Sequence, residues 1–332
     1  MSRWVIVLSG GEGTRMQELI EECFAHRYPK QYCTFCGTKS MLEHTVDRAL
    51  QVVRPERILT VVGGGHCRFF DEELLAGRVI EQPKPRDTAA GVLLPATYIQ
   101  AEDPEAIVAI LPSDHFIYPK ARFVEQLNFA FEMAESRPAK MVLMGAVPDA
   151  PESDYGWIQP GEEIFEWNPG DLVPRTVNSF REKPDRQHAA RWLANGWLWN
   201  TSIVVAKMKT LWGLAAAHMP EVSSRFTMFH QVLLALSRGG VTEERVKMLL
   251  HQIYQNLPKA NFSRDLLEKV SGECIVLPLN RVVWSDWGRP VRVVETLEQI
   301  GRSSGILDSV SQFVGRSLST PEMSSSHEFK SA

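Results

Sequence analysis

Short apolar runs recur along the chain: Trp4 to Leu8, Ile58 to Val62, Ile107 to Leu111, Met141 to Gly145 and Ile203 to Ala206. They do not alternate with polar residues, so they predict strands buried on both faces. Between the early runs lie stretches with helical spacing, such as Met41, Leu42, Thr45, Val46, Ala49 and Leu50, which suit right-handed crossovers between parallel strands. The pattern is that of a doubly wound α/β fold. After about Pro148 it changes: Pro, Gly and Trp become frequent, and strand-like pieces appear around Gly156 to Ile158 and Thr176 to Phe180. Helical stretches at Arg225 to Leu236 and Glu243 to Tyr254 and an apolar run at Cys274 to Leu279 follow. The expected organisation is one domain over 1–302, with a doubly wound first half (1–147) and an inserted substrate-binding half (148–302). From Ser303 onward the chain is Ser-rich and aperiodic, so 303–332 is expected to be a flexible tail.

A chain of 332 residues with 44% hydrophobic side chains can bury a large core. Its formal charge of −4, from 36 basic and 40 acidic residues, gives no electrostatic footprint for nucleic acid or an anionic membrane. Any anion must be held locally. Cys23, Cys33, Cys36, Cys67 and Cys274 lack the spacing of a disulfide framework, which favours a reducing compartment. The pair Cys33 and Cys36 has no second ligand pair at zinc spacing, so ordinary thiols are expected. No apolar run is long enough for a signal or membrane segment, and a cytoplasmic location is expected. Oligomeric state stays open, homo-oligomers included.

The candidate chemistry begins at Gly10-Gly11-Glu12-Gly13-Thr14-Arg15, a glycine-rich turn straight after the first strand, where backbone N–H groups can approach a nucleotide. It is neither a dinucleotide fingerprint nor a P-loop. Arg15 and Lys30 add two positive charges suited to a triphosphate. Asp114, in Pro112-Ser113-Asp114-His115, should sit past the carboxyl end of a parallel strand, the edge where open α/β sheets bind ligands. With Asp286 it could supply a carboxylate pair for Mg²⁺, which prefers few protein carboxylates plus substrate phosphates. Lys183 closes another strand-like segment and is placed to meet a monophosphate.

Taken in order, these motifs, together with Glu182-Lys183-Pro184, Trp199-Asn200, Pro85-Arg86-Asp87-Thr88-Ala89-Ala90 and Asp154-Tyr155-Gly156-Trp157-Ile158, resemble the nucleotidyltransferase family of NDP-sugar pyrophosphorylases. Within it they look most like mannose-1-phosphate guanylyltransferases. The resemblance implies a Rossmann-like doubly wound mixed sheet that takes two small-molecule substrates, a nucleoside triphosphate and a sugar 1-phosphate, with Mg²⁺ as cofactor. It places Gly10, Gly11, Gly13, Thr14, Arg86, Asp87, Thr88 and Ala89 on the nucleotide and Arg15 and Lys30 on its phosphates. It places Asp114 and Asp286 on Mg²⁺, Lys183 on the sugar phosphate, and Tyr155, Gly156, Glu166 and Asn200 on the sugar. Other implied readings are a thymidylyl-, uridylyl- or adenylyltransferase, or a non-catalytic regulatory homologue.

The chain also departs from the pattern. The stretch between Arg15 and Lys30 is longer than the resemblance leads one to expect, and Met16, Leu19, Ile20, Cys23 and Phe24 within it are spaced for a small extra helix. Asp87 stands for a usual Asn, Ser202 for a Gly, and Arg289-Pro290 for a Ser-Trp pair. Trp157, Trp167, Trp192, Trp197 and Trp199 are read as core or domain-contact aromatics before a stacking platform.

Overall fold

The computed structural model describes residues 1–165, 171–301 and 309–315. Among the described residues eleven strands form: β1 (Arg3–Ser9), β2 (Ile58–Val62), β3 (Arg78–Glu81), β4 (Ile107–Pro112), β5 (Phe116–Tyr118), β6 (Met141–Ala146), β7 (Gly156–Glu163), β8 (Arg175–Glu182), β9 (Leu198–Lys207), β10 (Cys274–Pro278) and β11 (Val283–Ser285). The longer helices are α1 (Gln17–Phe24), α2 (Met41–Ala49), α3 (Asp87–Glu102), α4 (Lys120–Ser136), α5 (Arg186–Ala194), α6 (Met208–His218), α7 (Pro220–Ser237), α8 (Glu243–Asn256) and α9 (Pro290–Gln299). Nine strands make one sheet in the order β3-β2-β1-β4-β9-β6-β10-β8-β7. Strands β3, β2, β1 and β4 are mutually parallel, as are β6 and β10. β9 runs antiparallel between β4 and β6, so its first residues lie at the edge where its neighbours end.

The apolar runs are buried on both faces because helices cover both. In β1, Trp4 and Ile6 enter a core with α3, α7 and α8, while Val5 and Val7 enter the opposite core with α2 and α4. A fully buried side chain of this size contributes about 1.5–3 kcal/mol relative to exposure. The capping box at α2, where Ser40 Oγ accepts from Glu43 N–H and Ser40 N–H donates to the Glu43 carboxylate, fixes that helix's start.

A third, smaller core explains the long stretch after Arg15. The expected extra helix is α1, whose Leu19 and Ile20 are buried with Met16, Phe35, Trp287, Val293, Leu297 and Val310. Val310 corrects the expectation of a tail over 303–332: residues 309–315 are helical, because their apolar side chains find this cluster. Residues 303–308 and 316–332 lie outside the described residues, as do Glu166 and Trp167.

Trp157, Trp197 and Trp199 are buried in the core beneath β7 and β9, and Trp192 stacks on Trp197 with ring centroids 4.4 Å apart. All five cysteines are free thiols, and burial pushes Cys33 up to about 12. Among the described residues no helix is long and apolar enough to cross a membrane.

Candidate active site

The glycine turn leaves the carboxyl end of β1, and the register Leu8↔Pro112 sets the end of β4 beside it. Ser113 N–H donates to Leu8 O at 2.9 Å, so Asp114 emerges next to Ser9 and Gly10. Asp286 reaches the same place through a small antiparallel pair, in which Ser285 of β11 faces Phe116 of β5. That pairing brings the residue after Ser285 alongside the His115 and Asp114 segment, joining two positions about half the chain apart.

Lys30 joins the two aspartates. Its Nζ lies 3.1 Å from Asp114 Oδ2 and donates to the main-chain carbonyls of Asp286 and Trp287. The lysine is only 4% exposed. An ammonium has three donors, so these contacts use all of them. Lys30 is therefore an internal tie, where the sequence suggested a cation open to phosphate. Gly13 covers it: the residue has φ 60°, and a Cβ there would sit 3.0 Å from Lys30 N. A side chain would be strained in backbone and in space.

Asp114 keeps a 38% exposed side chain. Burial alone would raise its pKa, but Lys30 and His115 outweigh it and hold the carboxyl below its ordinary value. His115 is lowered, chiefly by burial, with Asp114 opposing; its Nε2 is 3.7 Å from Asp114 Oδ1. Asp286 is more enclosed. Its Oδ1 accepts from Tyr155 Oη at 2.6 Å, Gly288 N–H at 2.9 Å and Arg292 Nη1 at 3.3 Å, while Oδ2 faces Arg15 Nη2 at 3.5 Å. Oxygens still open to a further cation are thus Asp114 Oδ1 and, once Arg15 moves, Asp286 Oδ2. Among the described residues no cluster of three or more His, Cys, Asp or Glu forms a self-sufficient metal site. The donor set suits a hard cation that takes its remaining ligands from water and phosphate.

Around this centre the other expected residues fall into groups. Gly10 and Gly11 are held from beneath by Gln31, whose Nε2 donates to Ser9 O at 3.0 Å and Gly11 O at 2.8 Å. Thr14 opens the exposed turn that carries Arg15. Arg86 donates to Tyr254 O and Gln255 O, capping the carboxyl end of α8, so its guanidinium is engaged there. Asp87 and Thr88 bind Asn261 Nδ2 and Phe262 N–H, and Ala89 is buried. This group therefore anchors the start of α3 to the 260–262 segment. Missed by sequence reasoning was Gln82, whose Nε2 lies 2.6 Å from where a Gly10 Cβ would stand and whose Oε1 accepts from Tyr254 Oη.

On the second half, Gly156, Asn200 and Glu182 meet: a Cβ on Gly156 would lie 2.7 Å from Glu182 Oε2 and 3.2 Å from Asn200 Cβ. Asn200 is delivered by the reversed direction of β9, paired with Gly145 at the end of β6. Lys183 is exposed, with φ 47° and its N–H on Tyr155 O at 3.1 Å. The Tyr155 hydroxyl itself is turned to Asp286. Glu182 Oε2 is buried without a hydrogen-bond partner, and burial pushes the carboxyl up to about 7, against the pull of Lys183.

The Glu182 shift has a measurable consequence. Between its ordinary 4.5 and about 7, the folded chain keeps a proton that the unfolded chain has released, so stability falls as pH rises through that window. Glu182→Gln is expected to flatten this slope, raising the urea midpoint at pH 8 and leaving it little changed at pH 4. An unchanged slope between pH 4 and pH 8 would show that the carboxyl titrates alike in both states.

A cavity of about 290 Å³ opens behind His115, lined by Phe35, Met41, Arg48, Phe116 and Trp287 among others. Gly10, Arg15, Lys30, Asp114 and Asp286 are not among its lining residues. Those five residues are gathered instead where β1 and β4 end and the β5–β11 pair begins, with Arg15 and Asp114 partly open to solvent and Lys30 buried.

An open, mixed sheet with a parallel β3-β2-β1-β4 half and a glycine turn, two carboxylates and several cations gathered at its carboxyl edge has the architecture of the nucleotide-binding α/β folds. Residues 4–301 match the Nucleotidyl transferase family, and the chain belongs to that family. Xanthan biosynthesis protein XanB of Xanthomonas campestris pv. campestris (strain B100) is 28% identical over 306 residues, which cover 90% of this chain and 60% of that protein. A mannose-1-phosphate guanylyltransferase of Escherichia coli is 26% identical over 291 residues, 85% of this chain and 57% of its own. The chain thus spans little more than half the length of these curated relatives. Among solved structures, one described as mannose-1-phosphate geranyltransferase from Thermus thermophilus is 27% identical with a TM-score of 0.73, covering 92% of this chain and 80% of that one.

Proposed function

We propose that the chain is a sugar-1-phosphate nucleotidyltransferase that converts GTP and mannose 1-phosphate to GDP-mannose and pyrophosphate. The observation that carries the reading is the meeting of Asp114, Asp286, Lys30 and Arg15 beside the glycine turn. The names of the relatives favour mannose 1-phosphate and a guanine nucleotide. In the reaction an oxygen of the sugar phosphate bonds to the α-phosphorus as the bond from that phosphorus to the bridging oxygen breaks, and pyrophosphate departs with the electron pair. No protein nucleophile is required. The chain positions the reactants and neutralises charge.

Asp114 and Asp286 would hold Mg²⁺, which when bound supplies charge neutralisation on the phosphates. Lys30 keeps Asp114 ionised and in register with the Asp286 main chain. Arg15, more than half exposed, is free to leave its carboxylate partners for the phosphates. Lys183 meets the sugar phosphate, and Gly156, Glu182 and Asn200 line the space for the sugar. The substrates are small molecules and the setting is cytoplasmic in this reading.

Pyrophosphate release from purified protein tests it, with GTP, ATP, UTP and dTTP each paired with mannose 1-phosphate and glucose 1-phosphate. The expected result is Mg²⁺-dependent release, fastest with GTP and mannose 1-phosphate and abolished by EDTA. Silence with every pair would remove the proposal, and a different preferred base or sugar would correct its specificity.

A further inference from the structure

One carboxylate oxygen at the mouth of the site is shared by two arginines. Asp154 Oδ2 lies 3.0 Å from Arg15 Nη1, 3.1 Å from Arg289 Nε and 2.5 Å from Arg289 Nη2. The three residues come from separate segments: the glycine turn, the loop between β6 and β7, and the loop between β11 and α9. Arg15 also places its Nη2 3.5 Å from Asp286 Oδ2, so the cluster abuts the carboxylate assigned to the metal. Gly288 makes that approach possible, because a Cβ there would stand 2.7 Å from Arg15 Nη2 and would collide with Asp286 Oδ2.

Three arginines meet three carboxylates here, but the contacts are shared unevenly. Arg292 is matched already, with Glu152 at 2.6 Å and Asp286 at 3.3 Å. Arg15 and Arg289 are left with Asp154 as their shared near partner and with Asp286 at the longer distance from Arg15. Guanidinium forks fit carboxylate and phosphate oxygens alike, so an aspartate between two of them occupies the position a phosphate oxygen would take. All three side chains are partly exposed, at 55%, 31% and 48% for Arg15, Asp154 and Arg289. Contacts of that exposure exchange with solvent and are worth little individually. Arg289 is also one of the positions where this chain departs from the pattern it otherwise resembles, with Ser expected there.

We propose that Arg15 and Arg289 form a clamp for the two distal phosphates of the nucleotide, and that Asp154 holds their place until a diphosphate group displaces it. The inference rests on the nucleotidyltransferase reading and adds a residue to it. Arg15 and Arg289 contact the leaving pyrophosphate; Asp154 is a positioning residue that turns to solvent when the phosphates arrive.

The two roles predict opposite effects. Calorimetric titration of the full chain with inorganic pyrophosphate and Mg²⁺ reads the clamp without turnover. Arg289→Ala should weaken pyrophosphate binding by about 10-fold or more, because charge-assisted hydrogen bonds are lost. Arg289→Lys should restore part of the affinity. Asp154→Asn should tighten binding about three-fold or more, since the competing anion is removed while the arginines remain. In turnover, KM for the triphosphate should move in the same directions, with KM for the sugar phosphate unchanged.

If Asp154 merely braced the loops, Asp154→Asn would weaken binding as Arg289→Ala does. Weaker or unchanged affinity in Asp154→Asn, or unchanged affinity in Arg289→Ala, overturns the clamp, as does a wild-type chain that binds no pyrophosphate. Normal turnover with no tightening in Asp154→Asn removes the clamp alone. Tightening in a chain that turns over no substrate pair keeps the clamp and removes the activity.

Discussion

Asp114→Asn is expected to lower kcat/KM for pyrophosphate release by at least about 100-fold, the scale on which a preorganised charge at a reacting phosphate is felt. The substitution keeps shape and removes charge. The wild-type carboxyl stays ionised at neutral pH because Lys30 and His115 hold its pKa down against the effect of burial. Its exposed oxygen is the less engaged of the site's carboxylate oxygens, with His115 Nε2 no nearer than 3.7 Å. Rate measured against Mg²⁺ concentration should therefore show a higher half-saturation point as well as a lower ceiling. Thermal stability should fall modestly, because the buried Lys30 ammonium loses its counter-charge while the asparagine oxygen and the two main-chain carbonyls still accept from it. Asp286→Asn differs in degree. Tyr155, Gly288 and Arg292 all lean on that carboxylate, so loss of rate there would come with a larger loss of stability. An Asp114→Asn enzyme with the wild-type rate and Mg²⁺ dependence would remove Asp114 from the metal site.

How much of this could be read from the chain depended on whether the signal was local. The five apolar runs became β1, β2, β4, β6 and β9 because strands buried on both faces must be continuously apolar. The small helix after Arg15 was legible from Leu19 and Ile20 at helical spacing. Strands β3, β5 and β11 have three or four residues and partly exposed faces, too short to show a period. Asp114 was legible from its place after an apolar run. What escaped was the route by which Asp286 joins it, since the β5–β11 pairing has no local signature. The same holds for Asp154 and Arg289, single charges whose partners lie far along the chain. Gln82 escaped because its role comes from contact with Gly10 and Tyr254, neither of them a sequence neighbour. Lys30 was found, but its direction was not: a motif marks that a cation is present, and only the fold shows that its donors point inward.

That inward direction gives the second large effect. Lys30→Met should cost about 2–6 kcal/mol of folding stability together with most of the activity. Two main-chain carbonyls, of Asp286 and Trp287, lose their donor in a place shielded from water, at about 1–3 kcal/mol for a buried polar group left unsatisfied. Asp114 also loses its counter-charge, though its exposure to solvent limits that part of the cost. Methionine fills the volume, so packing contributes little to the change. A double-mutant cycle with Asp114→Asn separates the two contributions. Once Asp114 is neutral, removing the ammonium no longer leaves a carboxylate unpaired, so the double variant should be less destabilised than the sum of the single ones. Urea midpoints at pH 7 read the stability, and pyrophosphate release reads the rate. Additive losses of stability would mean that Lys30 acts through the carbonyls alone; the wild-type midpoint in Lys30→Met would mean that it ties nothing together. Between those outcomes lies an arrangement in which a buried lysine holds two distant segments in register so that their carboxylates meet beside the glycine turn.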